Sequence, residues 1–123
     1  MQTTVYTLPE ISFVGGETQD FYFHLKNHRG EPFDASGAAV NFAICNYSNK
    51  TGSPILSYTP ELLADETGSA SVIILKIPKE DTALLYGKFI YQITIIDASG
   101  SSEIPNQGIM NIAKNINHEY VLN

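Results

Sequence analysis

Phe89-Ile90-Tyr91-Gln92-Ile93-Thr94-Ile95-Ile96-Asp97 sets every second side chain apart. Phe89, Tyr91, Ile93 and Ile95 are large and apolar, and Gln92 and Thr94 between them are polar. A period of two is what a pleated strand converts into one buried and one wet face. Behind the run stands Asp97-Ala98-Ser99-Gly100, where Asp bonds its own backbone and Gly supplies a positive φ as the chain reverses. The stretch reads as a half-buried strand ending in a turn.

The same pattern extends along the chain. Gln19-Asp20-Phe21-Tyr22-Phe23-His24-Leu25-Lys26 puts Phe21, Phe23 and Leu25 on one face, and Val40-Asn41-Phe42-Ala43-Ile44-Cys45 does so with Val40, Phe42 and Ile44. Ser71-Val72-Ile73-Ile74-Leu75-Lys76-Ile77 is apolar on both sides; Ile73, Leu75 and Ile77 are the expected core set, which leaves Val72 and Ile74 in need of other cover. Weaker strands are expected at 4–8, 54–59 and 108–113. Turn chemistry separates them: Val14-Gly15-Gly16-Glu17, Asn27-His28-Arg29-Gly30, Asn49-Lys50-Thr51-Gly52 and Asp65-Glu66-Thr67-Gly68. Asp34-Ala35-Ser36-Gly37 repeats the tetrapeptide of 97–100 on unmatched flanks, which marks two similar turns and no duplication. Pro78-Lys79-Glu80-Asp81-Thr82-Ala83-Leu84-Leu85 opens with Pro and acids and is followed by Gly87, so one short helical piece is expected there, bridging two sheets. Turns every 8–12 residues or so favour a sandwich over βαβ units. The expectation is an all-β antiparallel sandwich of about seven to eight strands with one short helical turn, occupying residues 1–113. Residues 114–123 form a C-terminal tail that docks on a partner or frays.

With 123 residues there is room for one domain, and 43% apolar against 16% charged residues supplies a core. A net charge of −6 repels a phosphate backbone, which argues against nucleic acid as a partner. No stretch has the roughly 20 apolar residues of a membrane-spanning helix, and Met1-Gln2-Thr3-Thr4 lacks the basic and apolar regions of a signal peptide. Neither a membrane partner nor export is expected. Cys45 is alone, so stability has to come from packing, and the sequons Asn46-Tyr47-Ser48 and Asn49-Lys50-Thr51 matter only in a secretory pathway.

Chemistry-bearing motifs are sparse. His24, His28 and His118 lack the close pairing of a zinc site, and Glu61, Asp65 and Glu66 lack the spacing of a calcium loop, which leaves a weak site shared between loops as the alternative. There is no Gly-x-Ser-x-Gly elbow, and Cys45 falls on the outward face of its strand. Neither Gly15-Gly16 nor Gly37 leads into a phosphate loop. No catalytic residue, metal or cofactor is expected, and the chain is read as a non-enzyme. Two surface sets stand out. Tyr22, Tyr47, Tyr58 and Tyr86 make a candidate sugar-stacking platform, with sheet cover as the ordinary role of such rings. Val72, Ile74, Ile90 and Ile96, on nominal solvent faces, form an apolar interface if their strands are neighbours; Tyr120, Val121 and Leu122 either join that interface or cover it.

Asp81-Thr82-Ala83-Leu84-Leu85-Tyr86-Gly87-Lys88-Phe89-Ile90-Tyr91-Gln92-Ile93 resembles the approach to the penultimate strand of immunoglobulin-like sandwiches, where a corner aromatic fixes the crossing between sheets. Phe89 stands in place of the corner Tyr, without its hydroxyl, and Tyr91 stands where antibody domains have Cys. A second likeness runs from Gln19-Asp20-Phe21 through Gly30-Glu31-Pro32-Phe33-Asp34-Ala35-Ser36-Gly37-Ala38 and Asp81-Thr82 to Tyr91-Gln92-Ile93 and Asp97-Ala98-Ser99-Gly100. It resembles the small β-sandwich domains of tailed-phage structural proteins, especially the amino-terminal domain of baseplate upper proteins, which continue into helical or receptor-binding regions where this sequence stops at Asn123. The resemblance implies a non-catalytic tail or baseplate part that supports host attachment, assembled in the bacterial cytoplasm as a virion component. Its expected partners are further copies of itself or other particle proteins. A carbohydrate-binding module, with a glycan as partner, is the alternative.

Overall fold

The alternating runs become the strands of two facing sheets. The computed structural model describes residues 8–26, 35–48, 53–64, 68, 70–100, 102–103 and 107–122. In chain order these form β1 (Ile11–Val14), β2 (Gln19–His24), β3 (Ala39–Asn46), β4 (Leu56–Tyr58), β5 (Glu61–Leu63), β6 (Val72–Ile77), α1 (Lys79–Thr82), β7 (Gly87–Ile96), β8 (Ser102–Glu103), β9 (Gly108–Ala113) and α2 (His118–Leu122). The larger sheet runs β1-β9-β7-β3-β4, with β8 pairing β7 beyond the reach of β9, and the smaller runs β2-β6-β5. Ladders are antiparallel except at one edge, where β1 lies parallel to β9.

Register follows the apolar alternation. Val40, Phe42 and Ile44 of β3 face Ile95, Ile93 and Tyr91 of β7, and Phe23 of β2 faces Ile73 of β6. All of these are buried. Slipping one residue would turn each set to water, so the pattern itself fixes the pairing. The two sheets meet through rings: Phe42 and Tyr91 stack at 5.2 Å, and Phe23 from the smaller sheet lies 5.8 and 5.7 Å from them. Burying a side chain of this size contributes about 1.5–3 kcal/mol, which is why a chain without a disulfide holds this architecture.

The all-β sandwich of two facing sheets expected from the alternation is the fold, with nine strands and two helical turns among the described residues in place of seven to eight strands and one turn. The helical piece is shorter than 78–85 and ends at Thr82, where the Leu85 amide bonds the Thr82 carbonyl. As expected, it carries the chain from the smaller sheet to the larger. The strand expected at 54–59 stops at Tyr58, because Thr59-Pro60 crosses to the other sheet and starts the unexpected β5. β1 and β8 were also not expected, since Ile11–Val14 and Ser102–Glu103 are too short to show a period. A second helical turn, α2, closes the tail. Gly16 and Gly100 take positive φ in their turns, and the Gly100 amide bonds the Asp97 carbonyl at 3.0 Å. The strand expected at 4–8 falls mostly outside the described residues, as do the turns at 27–30 and 49–52, His28, Asp34, the sequon at Asn49 and the acids Asp65 and Glu66. Leu8 alone of that strand is described, and it is buried in the core.

Candidate interaction surface

Three stretches converge at one pole of the sandwich: the β1–β2 turn, the link from α1 into β7, and the tail. Gly15 lets them meet, because a Cβ there would lie 2.9 Å from the Leu85 carbonyl oxygen and closer still to that of Thr82. The Gly16 amide donates to Thr82 Oγ1 at 2.9 Å, and Thr82 is fully buried. Asn115 Nδ2 donates to the Gly15 carbonyl at 2.8 Å, drawing the tail in, and Val121 packs on Gly16.

Around these contacts stand large apolar side chains facing water: Val14, Leu84, Tyr86, Ile116, Tyr120 and Leu122. Ile116 is 95% exposed and Tyr120 79%. Lys114 Nζ sits 5.4 Å from the centre of the Tyr86 ring, and Glu17, Glu80, Glu119 and Lys79 complete a mixed-charge rim. Sequence reasoning found Tyr120 and Leu122 here and missed Val14, Leu84 and Ile116. Their one signal was being apolar inside turn segments where alternation offers no inner face.

The interface expected from Val72, Ile74, Ile90 and Ile96 is not one patch. β6 and β7 belong to different sheets, so Val72 with Ile74 and Ile90 with Ile96 look out on opposite sides of the molecule. Ile90 is also buried, flanked in register by Cys45 and Ile109, and offers nothing to a partner. Val72 and Ile74 are half-covered beside the exposed Tyr22 and Leu63. The tail covers neither set, since Val121 turns inward at the pole while Tyr120 and Leu122 face out.

The four tyrosines do not form a platform either. Tyr22 lies on the outer face of the smaller sheet, and Tyr58 faces the core side of β4, where its hydroxyl donates to Asp81 Oδ2 at 2.6 Å. Burial raises the Tyr58 phenol above its ordinary value, and the Asp81 carboxylate pushes it further in the same direction. Tyr47 lies under Lys88 Nζ, 4.2 Å from the ring centre, and Tyr86 under Lys114. Among the described residues no three His, Cys, Asp or Glu side chains are placed to hold a metal. His24 and Cys45 sit on the outer faces of different sheets, and His118 is in α2, its Nδ1 enclosed without a hydrogen-bond partner among the described residues.

No protein-family model matches the chain, and no curated protein matches it in sequence. Among solved structures it is similar in backbone to CopC from Methylosinus trichosporium OB3b, at 10% identity over 86% of this chain and 88% of that one, with a TM-score of 0.46. It is also similar to AggA, the major subunit of aggregative adherence fimbriae type I from Escherichia coli, at 13% identity over 89% and 93%, with a TM-score of 0.35. At these values no residue role passes from either protein to this chain.

Proposed function

We propose that this chain is a non-catalytic assembly module that joins copies of itself or other protein components through its apolar pole. The setting implied by the sequence resemblance is a phage or prophage particle, in the tail or baseplate, put together inside the bacterial cell. One observation carries the reading: Leu84, Tyr86, Ile116, Tyr120 and Leu122 gather exposed at a single end. Large apolar side chains left exposed together at one end of a molecule favour a contact with protein. Repeated copies would add avidity to a modest contact, and rim charges of both signs allow like surfaces to meet.

Light scattering over a wide concentration range tests this. The full chain is expected to associate, and the variant Leu84→Ser/Tyr120→Ser/Leu122→Ser is expected to remain monomeric at concentrations where the parent does not. A parent chain that is monomeric throughout, with no binding to co-expressed particle proteins, would overturn the proposal.

A further inference from the structure

At the far end of β7 from the pole, an open groove of about 370 Å³ runs along β3 where its pairing stops. β7 covers one side of β3 from Ala39 to Asn46, but β4 covers the other side only from Phe42 to Ile44. Beyond Tyr58 the chain leaves for the smaller sheet through Thr59-Pro60, and Pro60 has no N–H to give to β3. Ala39, Val40 and Asn41 therefore have a strand on one side only among the described residues. The Ile44 carbonyl accepts from the Ile55 amide at 2.8 Å, so the alternation of backbone groups turns those of Val40, four residues back, to the same open side. Pro60, Leu62 and Ile96 line the groove beside this edge and make it largely apolar.

We infer that this edge of β3 takes an added strand: an extended segment of a partner protein, apolar at alternate positions and basic at its ends. The Val40 N–H and C=O on this side are satisfied by another backbone, and the groove beside them fits the apolar side chain that points inward. Charge selects the ends. Glu61 stands exposed next to the groove and Asp97 follows Ile96, the chain carries a net charge of −6, and no lysine or arginine is among the described residues lining the groove. The site goes beyond the assembly reading and uses none of the pole residues, so either one can fail without the other.

The experiment titrates the ¹⁵N-labelled full chain with a synthetic peptide of alternating threonine and valine ending in a lysine at each end. The expected result is saturable amide shifts at Ala39, Val40, Asn41, Leu62 and Ile96 with a dissociation constant of about 1 mM or tighter. The shifts are lost when alternate peptide amides are N-methylated on the pairing edge. They weaken several-fold with glutamate ends or in Ala39→Lys, an exposed position that tolerates the longer side chain. No saturable shift, shifts only at the pole, or equal binding of the N-methylated peptide would overturn the inference. Light scattering of the same samples reports the pole separately, so an intact oligomer with an empty groove removes only this site.

Discussion

The Tyr91 ring lies directly against the backbone of Gly108. A Cβ at Gly108 would stand 2.6 Å from the Tyr91 hydroxyl oxygen and nearer still to the ring carbons. The two residues are register partners on β7 and β9, and the ring, fully buried, crosses its neighbour to donate its hydroxyl to the Pro9 carbonyl ahead of β1. Three consecutive strands of the larger sheet are tied by one side chain.

Gly108→Ala is expected to destabilise the protein by about 1–3 kcal/mol, because the ring has no room to yield inside the core. Tyr91→Phe is expected to cost about 1–3 kcal/mol by leaving the Pro9 carbonyl without its donor. Urea unfolding followed by fluorescence measures both. In Tyr91→Phe/Gly108→Ala the combined loss should fall short of the sum of the separate losses, since the two residues share one contact.

The phenols of Tyr58 and Tyr91 are both raised, Tyr91 by burial and Tyr58 by burial and then by Asp81. Each keeps its proton longer in the folded chain than in the unfolded one. Their contribution to stability is therefore whole below the ordinary tyrosine value of 10.0 and is lost as pH rises above it through the folded values. Absorbance titration near the alkaline limit should show a late step that coincides with unfolding, and Tyr58→Phe and Tyr91→Phe should each remove one tyrosine from it.

Thr82→Val keeps the shape of a fully buried side chain and removes the acceptor of the Gly16 amide. A loss of about 1–3 kcal/mol is expected, with Thr82→Ser losing less because the oxygen remains. Thermal unfolding of the two variants side by side separates the hydrogen bond from the methyl group.

The tail is held by Asn115 and Val121 and buries none of its helical residues fully. Asn115→Ala should speed amide exchange at Tyr120, whose N–H bonds the Asn117 carbonyl, by about fivefold or more. Global stability should move by less than about 0.5 kcal/mol, as is usual for exposed segments. Equal acceleration across the whole sandwich, with a matching loss of global stability, would mean that the tail is part of the core.

Alternation by itself determined the core faces of β2, β3, β6 and β7, because a period of two has only one way to hide its large residues. Asp97-Ala98-Ser99-Gly100 likewise determined its own turn, since its bonds close within four residues. What no local pattern contains is which strands share a sheet. Val72 and Ile90 have the same outward reading in sequence, and only the crossing of α1 from one sheet to the other puts them on opposite sides. Tertiary structure alone also gathered Val14, Leu84, Ile116 and Tyr120 at one pole, through two glycines, a buried threonine and an asparagine that act across 66 to 100 residues of chain. Short-range periodicity encodes a residue's inside and outside; its neighbours across such distances are decided by packing, which no window along the sequence contains.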